Sequence, residues 1–164
     1  MYPTSRPIDP GYEFYAGDST FITDAFLRLD FESLRTSPLV RDWANCERLI
    51  GASYWDIFSE QASEFAGHAK LLLDNSFTQV LGALEDDEGL ARVISREWIS
   101  MVASIPESSM PALAKSWMQA LVIEEGLNGS NNEEQATLLE YASAVTRVCK
   151  TAIAAHVDVV HVWY

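Results

Sequence analysis

Apolar residues recur at helical spacing through most of this chain. The longest run lies in Ser53 to Leu84, where Phe58, Ala62, Phe65, Ala69 and Leu72 fall at steps of 4, 3, 4 and 3. Leu73, Phe77, Val80 and Leu84 carry the stripe on, rotated by one residue, and no proline interrupts it. This spacing predicts one helix over the whole stretch. At 1.5 Å per residue it would be roughly 45 Å long, which requires other long helices beside it.

Shorter patterns flank it. Asp18 or Ser19 is placed to cap a helix running to about Leu34, with Ile22, Phe26 and Leu29 on one face. Ser37-Pro38 restarts the chain, and Leu39, Trp43, Cys46 and Ile50 predict a second short helix that Gly51 ends. Ser53 and Asp56 then have the spacing of a capping box. Beyond the long run, the acids Glu85 to Glu88 are read as a solvated connection and helix cap. Leu90, Ile94, Trp98, Met101 and Ile105 follow, stopped by Pro106. Ser109-Met-Pro111 opens the next helix, with Leu113, Trp117, Ala120 and Leu121 on its apolar face and Gly126 closing it. Leu127 to Asn132 is a loop, and Asn131 with Glu134 makes a capping box for a last helix. The stripe of that helix is Leu138, Ala142, Val145, Cys149, Ala152, His156, Val160 and Trp163.

The two ends of the chain read differently. Residues 1–18 hold Pro3, Pro7, Pro10, Gly11 and Gly17, and so predict an arm. Tyr2, Tyr12, Phe14 and Tyr15 in that arm need burial, either along the same subunit or against a partner. Residues 157–164 are rich in valine and partly alternating, which fits a terminal strand or docking tail as well as helix. The expected fold is all-α: an elongated antiparallel bundle of three to four long helices preceded by two short ones. It forms a single domain over residues 19–164.

With 164 residues and 48% hydrophobic positions, the chain can bury a core without staples. Eleven Lys and Arg against 24 Asp and Glu give a formal charge of −13, which disfavours nucleic acid and anionic membranes as partners. The same charge suits docking on a basic partner or, less commonly, mimicry of DNA. Cys46 and Cys149 show no metal-ligand spacing and are read as buried thiols. The N-terminal sequence lacks the pattern of a secretion signal and no run of 18 apolar residues occurs, so a soluble cytoplasmic protein is expected.

Residues able to carry catalysis are sparse. Glu60, Glu64 and His68 share a helical edge, but no Glu-x-x-His of the di-iron type occurs. His156 falls on the last apolar stripe, as a core histidine would, and His161 lies in the tail. There is no Gly-x-Ser-x-Gly, no glycine-rich phosphate loop and no histidine placed to hold haem between Glu88 and Gly126. No catalytic, cofactor-binding or metal-binding residue is assigned. The candidate interaction surface is the wide apolar edge of the long helix, Trp55, Phe58, Phe65, Leu72 and Phe77, joined by Tyr12, Tyr15 and Trp163.

The stretch Trp55-Asp-Ile-Phe-Ser-Glu-Gln-Ala-Ser-Glu-Phe-Ala-Gly-His-Ala-Lys-Leu-Leu-Leu73, followed by an acidic break, another Leu-rich helix and Ala114-Lys-Ser-Trp-Met-Gln-Ala120, resembles the phasins. These are helical proteins that coat polyhydroxyalkanoate granules. The resemblance spans residues 53–126 and implies a non-catalytic amphipathic bundle that lies on polyester and self-associates. The expected function is therefore association: a granule coat, or a self-assembling or partner-binding subunit. The alternatives are a haem-free, globin-like sensory or regulatory domain, and a small helical enzyme using His156 or the Glu64/His68 edge.

Overall fold

The computed structural model describes residues 10–49, 52–85, 88–126 and 132–164. Along them run β1 (Tyr12–Gly17), α1 (Ser19–Leu27), α2 (Phe31–Thr36), β2 (Val40–Asn45), α3 (Ala52–Phe65), β3 (Phe77–Ala83) and β4 (Leu90–Ile94). There follow α4 (Arg96–Ala103), α5 (Met110–Glu125), α6 (Asn132–Ala155) and β5 (Asp158–Trp163). The strands form one antiparallel sheet in the order β2-β1-β5-β4-β3. The fold is thus mixed α and β, which overturns the all-α helical bundle.

β1 to β4 lie where a helix or an arm was expected, β5 where a terminal strand was one of the readings, and the reason is local in each case. The long helix ends at α3: Gly67 turns left-handed (φ 63°), and the His68 N–H donates to the Ser63 carbonyl at 2.9 Å, the pattern of a helix C-cap. Ala69 and Leu72 already lie past this end, Leu73 opens a single 3-10 turn, and Phe77 and Val80 belong to β3. The supposed helix over Leu39 to Ile50 is β2 as far as Asn45 and then a turn, closed by the Leu49 N–H on the Cys46 carbonyl at 3.0 Å; Ile50 and Gly51 lie outside the described residues. Leu90 and Ile94 belong to β4, and only from Arg96 does their segment become helix, capped by the Ser95 hydroxyl. Part of the arm is β1, whose Tyr12, Phe14 and Ala16 face one side of the sheet while Glu13 and Tyr15 face the other. The last helix stops before His156, which is exposed and left-handed (φ 55°) instead of lying on the stripe. The tail is then β5, paired to both β1 and β4.

Asp18 caps α1 by accepting from the Phe21 N–H at 2.7 Å, as expected, but the helix expected to run to about Leu34 ends at Leu27, turns left-handed at Leu29 (φ 56°) and restarts as α2 behind its own cap, Asp30. As expected, α5 has proline in its first turn and a left-handed Gly126 at its end. The loop over 127–131 and the cap at Asn131 lie outside the described residues, as do residues 1–9.

Two layers cover the sheet. Ile22, Phe26 and Leu34 of α1 and α2 pack on Tyr15, Ala91, Val160 and Val162. On the opposite face α3 to α6 enclose the larger core, with α6 lying along β2 and β1. Trp55, Trp98 and Trp117 are fully buried there, and each indole N–H is satisfied: by the Leu49 carbonyl, the Ser59 hydroxyl and the Tyr54 carbonyl. Truncating any of the three to alanine costs about 3–5 kcal/mol.

Candidate functional site

Among the described residues the sheet ends on one side in β3, which has a neighbour only in β4. None of its seven residues, Phe-Thr-Gln-Val-Leu-Gly-Ala, is charged and none is proline. Natural edge strands usually carry such residues, because an exposed row of backbone N–H and C=O groups invites another strand. Two irregularities of register, between Phe77 and Gln79 and between Val80 and Gly82, bend the strand without covering it. One face of β3 is occupied by α1: a Cβ added to Gly82 would lie 3.0 Å from the Leu27 side chain. The other face is open. Val80, opposite Arg92 in register, is 57% exposed, since the α3–α6 layer packs over β2, β1 and β5.

Acidic residues stand at both ends of the β3–β4 hairpin. At the start of β3, the Asp74 N–H donates to Asp56 Oδ1 at 3.0 Å, and Glu97 lies just past β4, its carboxylate 3.6 Å from His68 Nε2. Burial raises the Asp56 carboxyl, with the Asp74 and Glu60 charges adding to the effect and the Asp74 N–H opposing it. Glu85 and Glu88 stand exposed at the turn, while Asp86 and Asp87 lie outside the described residues.

Beneath this edge is a set of buried polar groups. His161 on β5 is fully buried between Tyr12, Phe14 and Phe77, with the Tyr12 ring centroid 4.2 Å away, and neither ring nitrogen has a partner. Burial first, and the Arg92 charge second, hold it well below the ordinary histidine value, so it is neutral. Arg92, its cross-strand neighbour, sets its guanidinium 3.6 Å from the centre of the Phe77 ring. Its Nε is buried without a partner, and burial lowers its pKa. Tyr12 is pushed well above the ordinary phenol value, chiefly by burial.

The residues expected to form an interaction surface are dispersed. Trp55 and Phe58 are core residues at 0% exposure, as is Tyr15 under α1 and α2, and Tyr12 is 3% exposed. Phe65, Leu72, Phe77 and Trp163 are half-buried; Phe77 opens the edge strand β3, whereas Trp163 lies on the central strand β5 between Tyr12 and Leu90. The phasin-like stretch therefore turns its aromatic side chains inward. Glu64 and His68 do not pair; His68 faces Glu97 instead. Sequence reasoning missed the edge itself, and also Glu13. That carboxylate, at 0% exposure, accepts from Arg35 Nη2 at 2.7 Å, Tyr164 Oη at 2.6 Å and Tyr15 Oη at 3.0 Å. The signal available for this strand was a short, nearly continuous apolar run from Tyr12 to Ala16 between Gly11 and Gly17; nothing in it marks Glu13 as buried.

Cys46 and Cys149 are buried and unbonded, and burial raises both thiols. Among the described residues no three His, Cys, Asp or Glu side chains converge as a metal site, and no helix is long and apolar enough to cross a membrane. No family profile, curated protein or solved structure matches the chain.

Proposed function

We propose that this chain is a non-catalytic binding protein that takes an extended segment of a basic protein partner onto the free edge of β3. The observation that carries the reading is the uncharged, proline-free edge strand in a chain of charge −13. Strand addition draws affinity from main-chain hydrogen bonds, while side chains at alternate positions supply selectivity. Here Val80 offers the apolar contact, and the acids at the two ends of the hairpin favour lysine or arginine at both ends of the incoming segment.

A second copy suits the edge less well. Antiparallel pairing of two β3 strands would bring the Asp56/Asp74 end of one copy against the Glu85/Glu88 end of the other. Coating an apolar granule is not the form of association proposed, because Trp55 and Phe58 are committed to the core. A globin-like arrangement falls with the all-α architecture. Nor do the histidines favour catalysis: His156 is exposed at a helix end, His68 neighbours Glu97, and His161 is sealed and neutral.

The test is titration with two synthetic strands of alternating threonine and valine, one ending in lysines and the other in glutamates. The lysine-ended strand is expected to bind saturably at low salt and more weakly at high salt. Val80→Lys is expected to weaken that binding tenfold or more while leaving the melting temperature within about 2 °C, since the site is exposed. Equal binding of the two strands, or no effect of Val80→Lys, would overturn the reading.

A further inference from the structure

Among the described residues, Arg92 is the one lysine or arginine that is half-buried and has no carboxylate beside it. Arg28, Arg35, Arg147 and Lys70 each have an acidic partner at 2.7 to 2.9 Å, and the remaining described lysines and arginines stand exposed. The Arg92 guanidinium instead lies 3.6 Å from the centre of the Phe77 ring, and no oxygen of the described residues accepts from it. An aromatic ring takes a guanidinium by its face, so the N–H donors in its plane remain available. Asp74 acts on it through its field, without a hydrogen bond. Partly desolvated arginines ordinarily meet a carboxylate. This chain has 24 Asp and Glu to supply one, and supplies none here.

Its place in the sheet connects Arg92 to the free edge. Arg92 pairs with Val80, the middle residue of β3, so the two side chains share the face of the α3–α6 layer. A residue that an incoming strand places opposite Val80 shares that face as well. It lies two strand spacings from Arg92, about 10 Å, a gap that an arginine and a glutamate close between them. The edge by itself leaves the register of such a strand open. Thr78, Gln79 and Val80 are all exposed, so no buried stripe on this part of β3 dictates how a partner aligns. One charge pair within the strand is enough to set it.

We infer that the segment added to β3 carries a glutamate opposite Val80, whose carboxylate accepts from the Arg92 guanidinium and whose methylene groups lie on Val80. The segment is then basic at both ends with one acid at its centre, a pattern that fixes its register and the face it turns toward the helices. The inference rests on β3 as the docking edge, and adds the identity and place of one residue on the partner.

The experiment titrates three lysine-ended threonine–valine strands with blocked termini into the whole chain: the parent, and two in which the central valine is replaced by glutamate or by glutamine. The glutamate strand is expected to bind about tenfold more tightly than the glutamine strand, and to shift the Arg92 Nε–H resonance. Arg92→Gln should erase the preference for glutamate. Arg92→Lys should keep part of it, because a point charge retains the attraction without the fork. Equal binding of the glutamate and glutamine strands by the unaltered chain, or a preference that survives Arg92→Gln, would overturn the inference and leave the docking edge in place. Failure of all three strands to bind would instead remove the edge, and this inference with it.

Discussion

The two edges of the sheet are treated in opposite ways. β2 is fastened from both sides. On one face Arg147 of α6 donates to Asp42 at 2.7 Å and to the Trp43 carbonyl at 3.1 Å, with Thr151 Oγ1 also reaching Asp42. On the other face Arg35 lies over the Trp43 ring and is held by Glu13 on β1. The strand also carries Arg41 and Asp42, the kind of charge that discourages further pairing. Among the described residues β3 has none of these devices beyond its two irregularities of register. The same sheet thus closes one edge and leaves the other available, and the contrast points to a use for the second.

The comparison is broken most strongly at Glu13. Replacing it by alanine leaves Arg35, Tyr15 and Tyr164 without their shared acceptor, and one-sided removal from a buried pair costs about 3–5 kcal/mol. The lower end is expected here, because the Arg35 side chain is 36% exposed. Val80→Ala on the opposite edge should change stability by less than about 0.5 kcal/mol. Chemical denaturation of the two variants measures this asymmetry directly; equal losses would show that β3 is as firmly built in as β2.

The next effect concerns His161, at the boundary where the helical layer gives way to the open face. Its buried ring nitrogens lack partners, so His161→Phe should stabilise the chain by about 1–3 kcal/mol. The pH dependence carries the same information. The folded pKa is depressed, so below about 6.5 the unfolded chain binds the proton that the folded chain refuses. Stability therefore falls as pH drops from about 6.5 toward the folded value, with a slope of up to about 1.4 kcal/mol per unit. His161→Phe removes this slope; melting curves at pH 5.5 and 7 that differ equally in both proteins would contradict the assignment. Asp56 contributes with the opposite sign at lower pH, because its folded pKa is raised, and this part is common to both proteins.

The smallest effect is expected at the clamp itself. Arg147→Ala removes an ion pair in which the arginine is 57% exposed, so about 0.5–1 kcal/mol is lost. Faster amide exchange should be confined to β2. Exchange that instead quickens in β3 would mean that the clamp tensions the whole sheet.

How much of this was legible in the sequence follows from the range of the interactions involved. α1 and α5 were readable because Asp18, Pro111 and Gly126 act within one or two turns of their own position. The sheet was not, although a strand over residues 157–164 was among the readings, because β1, β4 and β5 are held together by residues far apart in the chain. Their inward faces carry enough Val, Ile and aromatic residues to satisfy a helical stripe over short windows. Phe77 and Val80 fit the helix pattern by spacing alone, and only the left-handed Gly67 shows that the helix has already ended. The aromatics of the supposed arm were a correct sign of burial, though they line a central strand and not the outside of a bundle. The candidate edge was the least legible feature of all. A neutral strand becomes an edge only when its neighbours fall elsewhere, and no property of Phe77 to Ala83 records that.

The central claim is that β3 is the docking edge, and its location can be read directly. Amide exchange of the chain would be measured alone and with the saturating lysine-ended strand. Protection gained within Thr78 to Leu81, with β2 and the helical layer unchanged, is the predicted result. Protection confined to β2 or to the helical face, with Thr78 to Leu81 exchanging as before, would contradict it.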